Sequence, residues 1–211
     1  MKSKVYATSD WHIGHKNVLL PTFDNRPFKD LEHMHRVLIN NYNSTVNNGD
    51  TCYFLGDIGL TRGDEIKKVI KQLKGDKILI LGNHDKKGMG FWKECGFAAV
   101  MNVGAIIIQH EMVTMTHCPL RGVYREDTRG MRGHTGFENW HGENKQVKFS
   151  IPDWGQFHIH GHIHSPNHGK SVKILDKQFD VGVVANKYRP VSYSELESWV
   201  MKYKKDQDGK A

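Results

Sequence analysis

Short apolar runs alternate along this chain with polar loops that carry glycine or aspartate. Residues 4–8 (KVYAT), 51–55 (TCYFL) and 77–81 (KILIL) each run straight into such a loop, the pattern of buried strands. Between the first two, Leu31, Met34, His35, Leu38 and Tyr42 recur at helical spacing. Between the second and third, Ile66, Val69, Ile70 and Leu73 do the same on a lysine-rich helix ending near Gly75. The resulting β-α-β-α-β order predicts largely parallel pairing. Residues 104–109 (GAIIIQ) and 112–116 (MVTMT) flank His110-Glu111 as a hairpin. Strand signals resume at 156–161 (QFHIHG) and 179–184 (FDVGVV). Ser194-x-x-Glu197 offers a capping box for a last helix reaching about Met201, and the tail from about 202 to 211 is expected to fray. Residues 121–155, rich in Gly, Arg, His and Trp with weak periodicity, read as a long loop insertion or lid.

At 211 residues the chain is long enough for one domain, 1–211, with a sizeable core. Three cysteines, Cys52, Cys95 and Cys118, form neither a disulfide framework nor a C-x-x-C knuckle, which favours a reducing compartment. The amino-terminal stretch has no room for a signal peptide, and no run of about 18 apolar residues occurs, so a soluble, cytoplasmic protein without a membrane partner is expected. Oligomeric state is not legible.

The formal charge of +7 raises the question of a nucleic-acid partner. Most of the excess lies in residues 61–93, where nine Lys/Arg face four Asp/Glu. Much of that falls on the lysine-rich helix, whose apolar stripe leaves the lysines on a solvated face; attraction of phosphate-bearing substrates is the competing reading. In 121–155, Arg121, Arg125, Arg129, Arg132, Lys145 and Lys148 are nearly cancelled by Glu126, Asp127, Glu138, Glu143 and Asp153. With Phe137, Trp140, Phe149 and Trp154, that segment suits a lid over a small substrate better than a basic nucleic-acid strip, and a plain structural excursion remains open.

The stretch HIHGHIH, residues 158–164, places four histidines at every second position. In an extended strand all four rings would share one face unless the chain bends at Gly161. Taken alone, the tract fits metal ligation or a polar strand face with satisfied histidines. Three other strand ends carry similar cargo: Asp10-Trp11-His12, Gly56-Asp57 and Gly82-Asn83-His84-Asp85. Ligands bind at the carboxyl ends of strands in open α/β sheets, so these scattered segments can converge. Each is weak alone, being compatible with an ordinary turn; together they are not explained by accident.

This ordered set, D-x-H at 10–12, G-D at 56–57, G-N-H-D at 82–85, His117 in THCP and G-H-x-H at 161–164, resembles the calcineurin-like metallophosphoesterases. SDWHIGHKN (9–17), NRPF (25–28), ILILGNHD (78–85) and VGVVANKYRPVS (181–192) look like a branch of small bacterial and phage-type members. The resemblance covers nearly the whole chain except 121–155. Where that family would have an acid after VGV, this chain has Val184.

The resemblance implies an α/β sandwich of two mixed β-sheets flanked by helices. It implies one metal on Asp10, His12 and His164, a second on Asn83, His117 and His162, and Asp57 bridging them. Only alternate members of the histidine tract are then ligands, which leaves His158 and His160 to support or pack. Donors of imidazole, carboxylate and amide suit two divalent transition-metal ions, Mn first, with Fe, Zn, Co or Ni as alternatives. His84 is left as proton donor to the leaving group with Asp85 as its orienting partner, against the reading of a His that merely packs in the turn. His15, Asn17, Arg26 and Arg121 are candidates for holding the substrate, arginine best because it can grip two phosphate oxygens. Cys118 reads as a packed thiol, because His117 is already needed by a metal.

The expected activity is hydrolysis of a small, nucleotide-type phosphodiester or phosphomonoester by a metal-activated water. The alternatives are a metal-dependent DNA or RNA nuclease and a non-catalytic, metal-dependent binding module. The charge favours the nuclease and the short chain disfavours it; intact His84 and Asp57 argue against the binding module.

Overall fold

The structure is a computed structural model, and it describes residues 3–120, 149–164 and 177–209. Val5–Thr8 (β1), Thr51–Phe54 (β2), Asp76–Ile80 (β3) and Phe97–Met101 (β4) pair in parallel, and Val191–Ser192 (β9) runs antiparallel beside β1. The second sheet joins Gly104–Ile108 (β5), Glu111–Met115 (β6), Phe157–His160 (β7) and Gln178–Asp180 (β8), with β5 antiparallel to β6 and the rest parallel. Both sheets are mixed, as expected, and helices Leu31–Thr45 (α1), Gly63–Ile70 (α2), Met89–Cys95 (α3) and Tyr193–Asp208 (α4) flank them.

Alternation along the strands builds two cores. Tyr6, Cys52, Phe54 and Leu79 face one way and meet Met34, Leu38 and Tyr42 of α1, Ile66, Val69 and Ile70 of α2, and Trp92 and Cys95 of α3. Ala7, Leu55 and Ile80, at the alternate positions, meet Val113, Met115, Phe157 and Ile159 of the second sheet, together with Leu196 and Val200 of α4. The helix expected to end near Gly75 stops at Ile70, but the solvated lysines are present: Lys68 is exposed on α2, Lys71 and Lys74 are exposed in the turn after it, and Lys67 pairs with Glu94 at 2.6 Å. Lys77 differs. It is buried and donates to the carbonyls of Leu73 and Gly75, each at 2.9 Å, closing the turn after α2.

Several expectations are corrected. The capping box is Ser192 with Glu195, two residues before the expected pair, because Ser192 ends the short strand β9 and the helix starts where that pairing stops. The expected frayed tail is helical to Asp208, held by Lys204 on Glu111 at 2.7 Å and by Tyr203 edge-on to Phe157. The run 179–184 divides between the sheets: Val181 N donates to His160 O, whereas Val183 N donates to Ser9 O. Helix α3 and strand β4 escaped the periodicity, since seven residues give too few turns to read; Gly96, with φ 106°, closes the helix. Among the described residues no helix is long and apolar enough to cross a membrane. Residues 121–148, most of the expected lid, lie outside the described residues.

Candidate metal centre

Parallel pairing puts the carboxyl ends of β1, β2 and β3 on one edge, and those of β6 and β7 meet them there. Asp10 N donates to Gly56 O at 3.1 Å, Gly161 N to His117 O at 2.9 Å, and Ser9 Oγ to Leu55 O at 2.7 Å, which ties the loops to one another. Glycine is required where they cross: a Cβ on Gly161 would collide with Ser9 and Asp10, and one on Gly56 with the Gly82 backbone.

The side chains that converge are those of Asp10, His12, Asp57, Asn83, His117, His162 and His164. Oδ2 of Asp57 lies 3.8 Å from Nε2 of His12, 3.4 Å from that of His117 and 3.9 Å from that of His84. On one side, Nε2 of His164 stands 2.9 Å from Nε2 of His12 and 3.6 Å from Oδ1 of Asp10. On the other, Nε2 of His117 is 2.9 Å from Oδ1 of Asn83 and 3.2 Å from Nδ1 of His162. Donor atoms of Asp10, His12 and His164 fall within 4.8 Å of one another, and so do those of Asp10, Asp57 and His117.

The backbone is strained at the same places. Asp10, His12, Asp57, His162 and His164 have φ of 59°, 51°, 53°, 72° and 48°, the left-handed region that side chains with a Cβ avoid. Each such residue costs on the order of 1–3 kcal/mol, and this strain gathers at functional sites. It also explains the histidine tract. His158 and His160 lie in β7 with stacked rings 6.0 Å apart, and the alternation breaks at His162 and His164 rather than at Gly161. His158 is fixed by Thr114 Oγ1 at 2.9 Å and Thr116 Oγ1 at 3.0 Å, and His160 by the Gly161 carbonyl at 2.8 Å. Both are wholly buried and stand behind the cluster.

Charge follows geometry. Burial opposes ionisation of Asp10 and Asp57, yet His164 holds the first and His117 the second well below the usual carboxylate range. Burial would likewise lower both imidazoles; Asp57 overrides it for His117, pushed up to about 9, and Asp10 and Asp24 for His164, pushed up to about 10. Burial and the charge of His164 keep His12 well below its ordinary value, so its ring is neutral.

These residues fit divalent metal ions. Oδ1 of Asp10, 3.6 Å from Nε2 of His164, is buried without a hydrogen bond, which costs a polar group dearly unless something else satisfies it. His117 donates from Nδ1 to the Leu55 carbonyl at 2.7 Å, and His164 from Nδ1 to Asp24 Oδ1 at 2.7 Å, so each turns Nε2 toward the carboxylates. The two donor sets share Asp10, and imidazole and carboxylate groups placed this way could hold divalent metal ions.

The residues expected around this cluster divide. The His84 side chain is 36% exposed at the rim, and the backbone N–H of His84 donates to Asp57 Oδ1 at 3.0 Å. Asp85, expected to orient the His84 ring, does something else. Its buried carboxylate accepts from the backbone N–H groups of Gly82, Asp57 and Ile58 at 2.8, 2.8 and 3.0 Å. It shapes the loop that carries Asn83 and His84. Arg26, expected to grip substrate, is 2% exposed and donates inward to Trp11 O, Asp10 O and Asp24. A guanidinium so engaged is not free for a phosphate. His15 stays beside the cluster, its ring 5.4 Å from that of His12, and Asn17 is exposed on the 3-10 turn Lys16–Leu19. Arg121 lies outside the described residues. Cys118 Sγ falls within 4.8 Å of the donor nitrogens of His117 and His162, but burial and the Asp57 charge push its thiol well above the ordinary value, away from thiolate. Asp24 was missed, because no periodicity links it to His164; its only signal was adjacency to the NRPF stretch.

No protein-family model matches the sequence. The uncharacterised protein MJ1445 of Methanocaldococcus jannaschii is 39% identical over 90 residues, 42% of this chain, and the match spans half (50%) of that relative's length. The solved structure of the protein AQ665, of unknown function, from Aquifex aeolicus shares the fold, with a TM-score of 0.66 and 24% identity over 93% of this chain and 99% of its own. The gene 66 protein of Mycobacterium phage L5 is 33% identical over 173 residues, which cover 78% of this chain and 79% of the phage protein. At that identity and coverage, the chain belongs to the same protein family as the gene 66 protein of Mycobacterium phage L5.

Proposed function

We propose that this chain is a calcineurin-like, dinuclear metallophosphoesterase that hydrolyses a small, nucleotide-type phosphodiester or phosphomonoester. The observation that carries the reading is the convergence of two donor groups on the single carboxylate of Asp57, whose Oδ2 lies 3.8 Å from His12 Nε2 and 3.4 Å from His117 Nε2. Asp10, His12 and His164 would hold one ion, Asn83, His117 and His162 the other, and Asp57 both. Manganese is the first choice, with iron, zinc, cobalt or nickel compatible with the donors. Two such ions, when bound, supply a clamp on phosphoryl oxygens and a water activated for in-line attack.

The chain's own residues do the rest. His84 stands at the solvent side of Asp57 and donates a proton to the departing oxygen. The backbone at His84 is anchored by its amide N–H on Asp57 Oδ1, and the loop is set by Asp85 through three backbone amides. His15 lines the approach beside His12. Phe23 is 51% exposed with its ring 5.9 Å from that of His164, an aromatic face beside the cluster that favours a substrate bearing a base or aryl group. Of the lysines on and just after α2, Lys67 is paired with Glu94 whereas Lys68, Lys71 and Lys74 are exposed, so a nuclease is the alternative that the substrate panel decides.

A panel of nitrophenyl mono- and diesters, 2′,3′- and 3′,5′-cyclic nucleotides, and single- and double-stranded DNA and RNA tests this with Mn²⁺-loaded protein. Small esters should be turned over best, with only modest change between about 50 and 200 mM salt. Robust, salt-sensitive cutting of long DNA or RNA with little turnover of small esters would replace this reading with a nuclease. Two bound metals and no hydrolysis at all would leave a binding module.

A further inference from the structure

We infer that Asp24 is a positioning residue for the ion assigned to Asp10, His12 and His164, an inference that rests on the metal-centre reading above. The Asp24 side chain is 6% exposed. Its Oδ1 lies 2.7 Å from His164 Nδ1, and its Oδ2 lies 2.9 Å from both Nε and Nη2 of Arg26. An ionised carboxylate only accepts, so Nδ1 of His164 carries the hydrogen and Nε2 is left to face His12 and Asp10.

His164 needs that support. With φ 48° it has left the strand geometry that fixes His158 and His160, so the backbone alone does not aim its ring. Arg26 completes the device: its Nη1 donates to Trp11 O at 3.2 Å and its Nη2 to Asp10 O at 3.0 Å. Those carbonyls belong to the strained turn that presents Asp10 and His12. One buried Arg26–Asp24 pair therefore ties the ligands near residue 10 to the ligand at 164.

The two sides of the cluster differ here. His117 hands its Nδ1 hydrogen to a backbone carbonyl, that of Leu55, whereas His164 hands its own to a carboxylate. A carboxylate behind a ligating imidazole raises its basicity and locks its tautomer, and losing such a partner typically weakens metal binding about 10–100-fold. Loss of Asp24 should therefore weaken one ion and spare the other.

The test is a Mn²⁺ titration of the full chain, following free Mn²⁺ by electron paramagnetic resonance and heat by calorimetry, for wild type, Asp24→Asn and Asp24→Ala. Asp24→Ala should weaken one of two ions by about 10–100-fold and leave the other within about twofold. Asp24→Asn keeps an acceptor for Nδ1–H but not the charge, so it should fall between. In Zn²⁺-loaded protein the hydrogen-bonded Nδ1–H proton of His164 should appear by NMR in wild type and Asp24→Asn and vanish in Asp24→Ala. Unchanged affinity for both ions in folded Asp24→Ala, or equal weakening of both, overturns the inference; should that variant not fold, unchanged affinities in Asp24→Asn overturn it. Wild-type protein that binds no Mn²⁺ would instead sink the metal-centre reading itself.

Discussion

Nδ1 of His117 lies 2.7 Å from the carbonyl oxygen of Leu55, a hydrogen bond between two sheets that joins residues 62 apart in sequence. It fixes which nitrogen of His117 faces Asp57, and it holds the end of β6 against the end of β2. The cluster is thus part of the packing between sheets, and changes to its members should be read against both metal content and stability.

Dialysis of the purified protein against Mn²⁺ followed by elemental analysis should give two ions per chain; a value near zero would remove the basis for the proposed chemistry. Asp57→Asn should lose metal and all turnover, since Asp57 is shared by both donor groups. His84→Asn should keep both ions and slow turnover by roughly 10²–10⁴-fold. An emptied site in His84→Asn would make His84 a ligand rather than a proton donor.

Stability of the metal-free protein should fall as pH drops below about 6.5. Burial, followed by the neighbouring His160, lowers His158 to about 3, so its ring is neutral in the fold, whereas an unfolded histidine titrates near 6.5. Between those values the unfolded chain binds the extra proton. The contribution is therefore present above pH 6.5 and is lost progressively as pH falls toward 3, a total on the order of 5 kcal/mol at most. Urea unfolding of EDTA-treated protein from pH 7 to 4 should show this slope, flattened in His158→Gln. An identical slope in the variant would show that His158 is not the titrating group.

Gly161→Ala should destabilise the protein and weaken metal binding, because its Cβ has only Ser9 and Asp10 to displace. Gly90→Ala is the matched control. Gly90 lies in α3 with open space around it, and alanine there should add up to about 1 kcal/mol through helix propensity. Thermal melts of the two variants should move in opposite directions; a neutral Gly161→Ala would mean the strand ends are looser than this packing allows.

Arg26→Met should cost about 3 kcal/mol in urea unfolding, as expected when one partner of a buried pair is removed. A folded Arg26→Met with unchanged stability and a KM raised about 10-fold or more would restore Arg26 to the substrate.

Much of the candidate site was legible in the sequence because its chemistry sits directly after strands: Asp10, Asp57 and Asn83 follow apolar runs within a few residues, and that adjacency survives in a one-dimensional reading. Parallel pairing of β1 to β3 and the helical stripes of α1 and α2 were legible for the same reason, since period and order are local properties. Three things needed the folded chain. The left-handed backbone at Asp10, His12, Asp57, His162 and His164 is imposed by neighbouring loops, and the tolerance of Asp and His for that region is too weak a preference to mark these positions in the sequence. The direction of Arg26 and Asp85 was misread because a charged side chain beside a motif looks the same whether it faces substrate or backbone; only burial among the Asp10, Trp11, Asp57 and Gly82 backbones decides. Asp24 and His164 are 140 positions apart, and nothing local couples them. Only the packing of the two sheets brings the turn after β1 and the loop after β7 to one carboxylate. Local order along the chain sets which donors are on offer, whereas contacts between distant loops select those that face the centre and those that hold it in place.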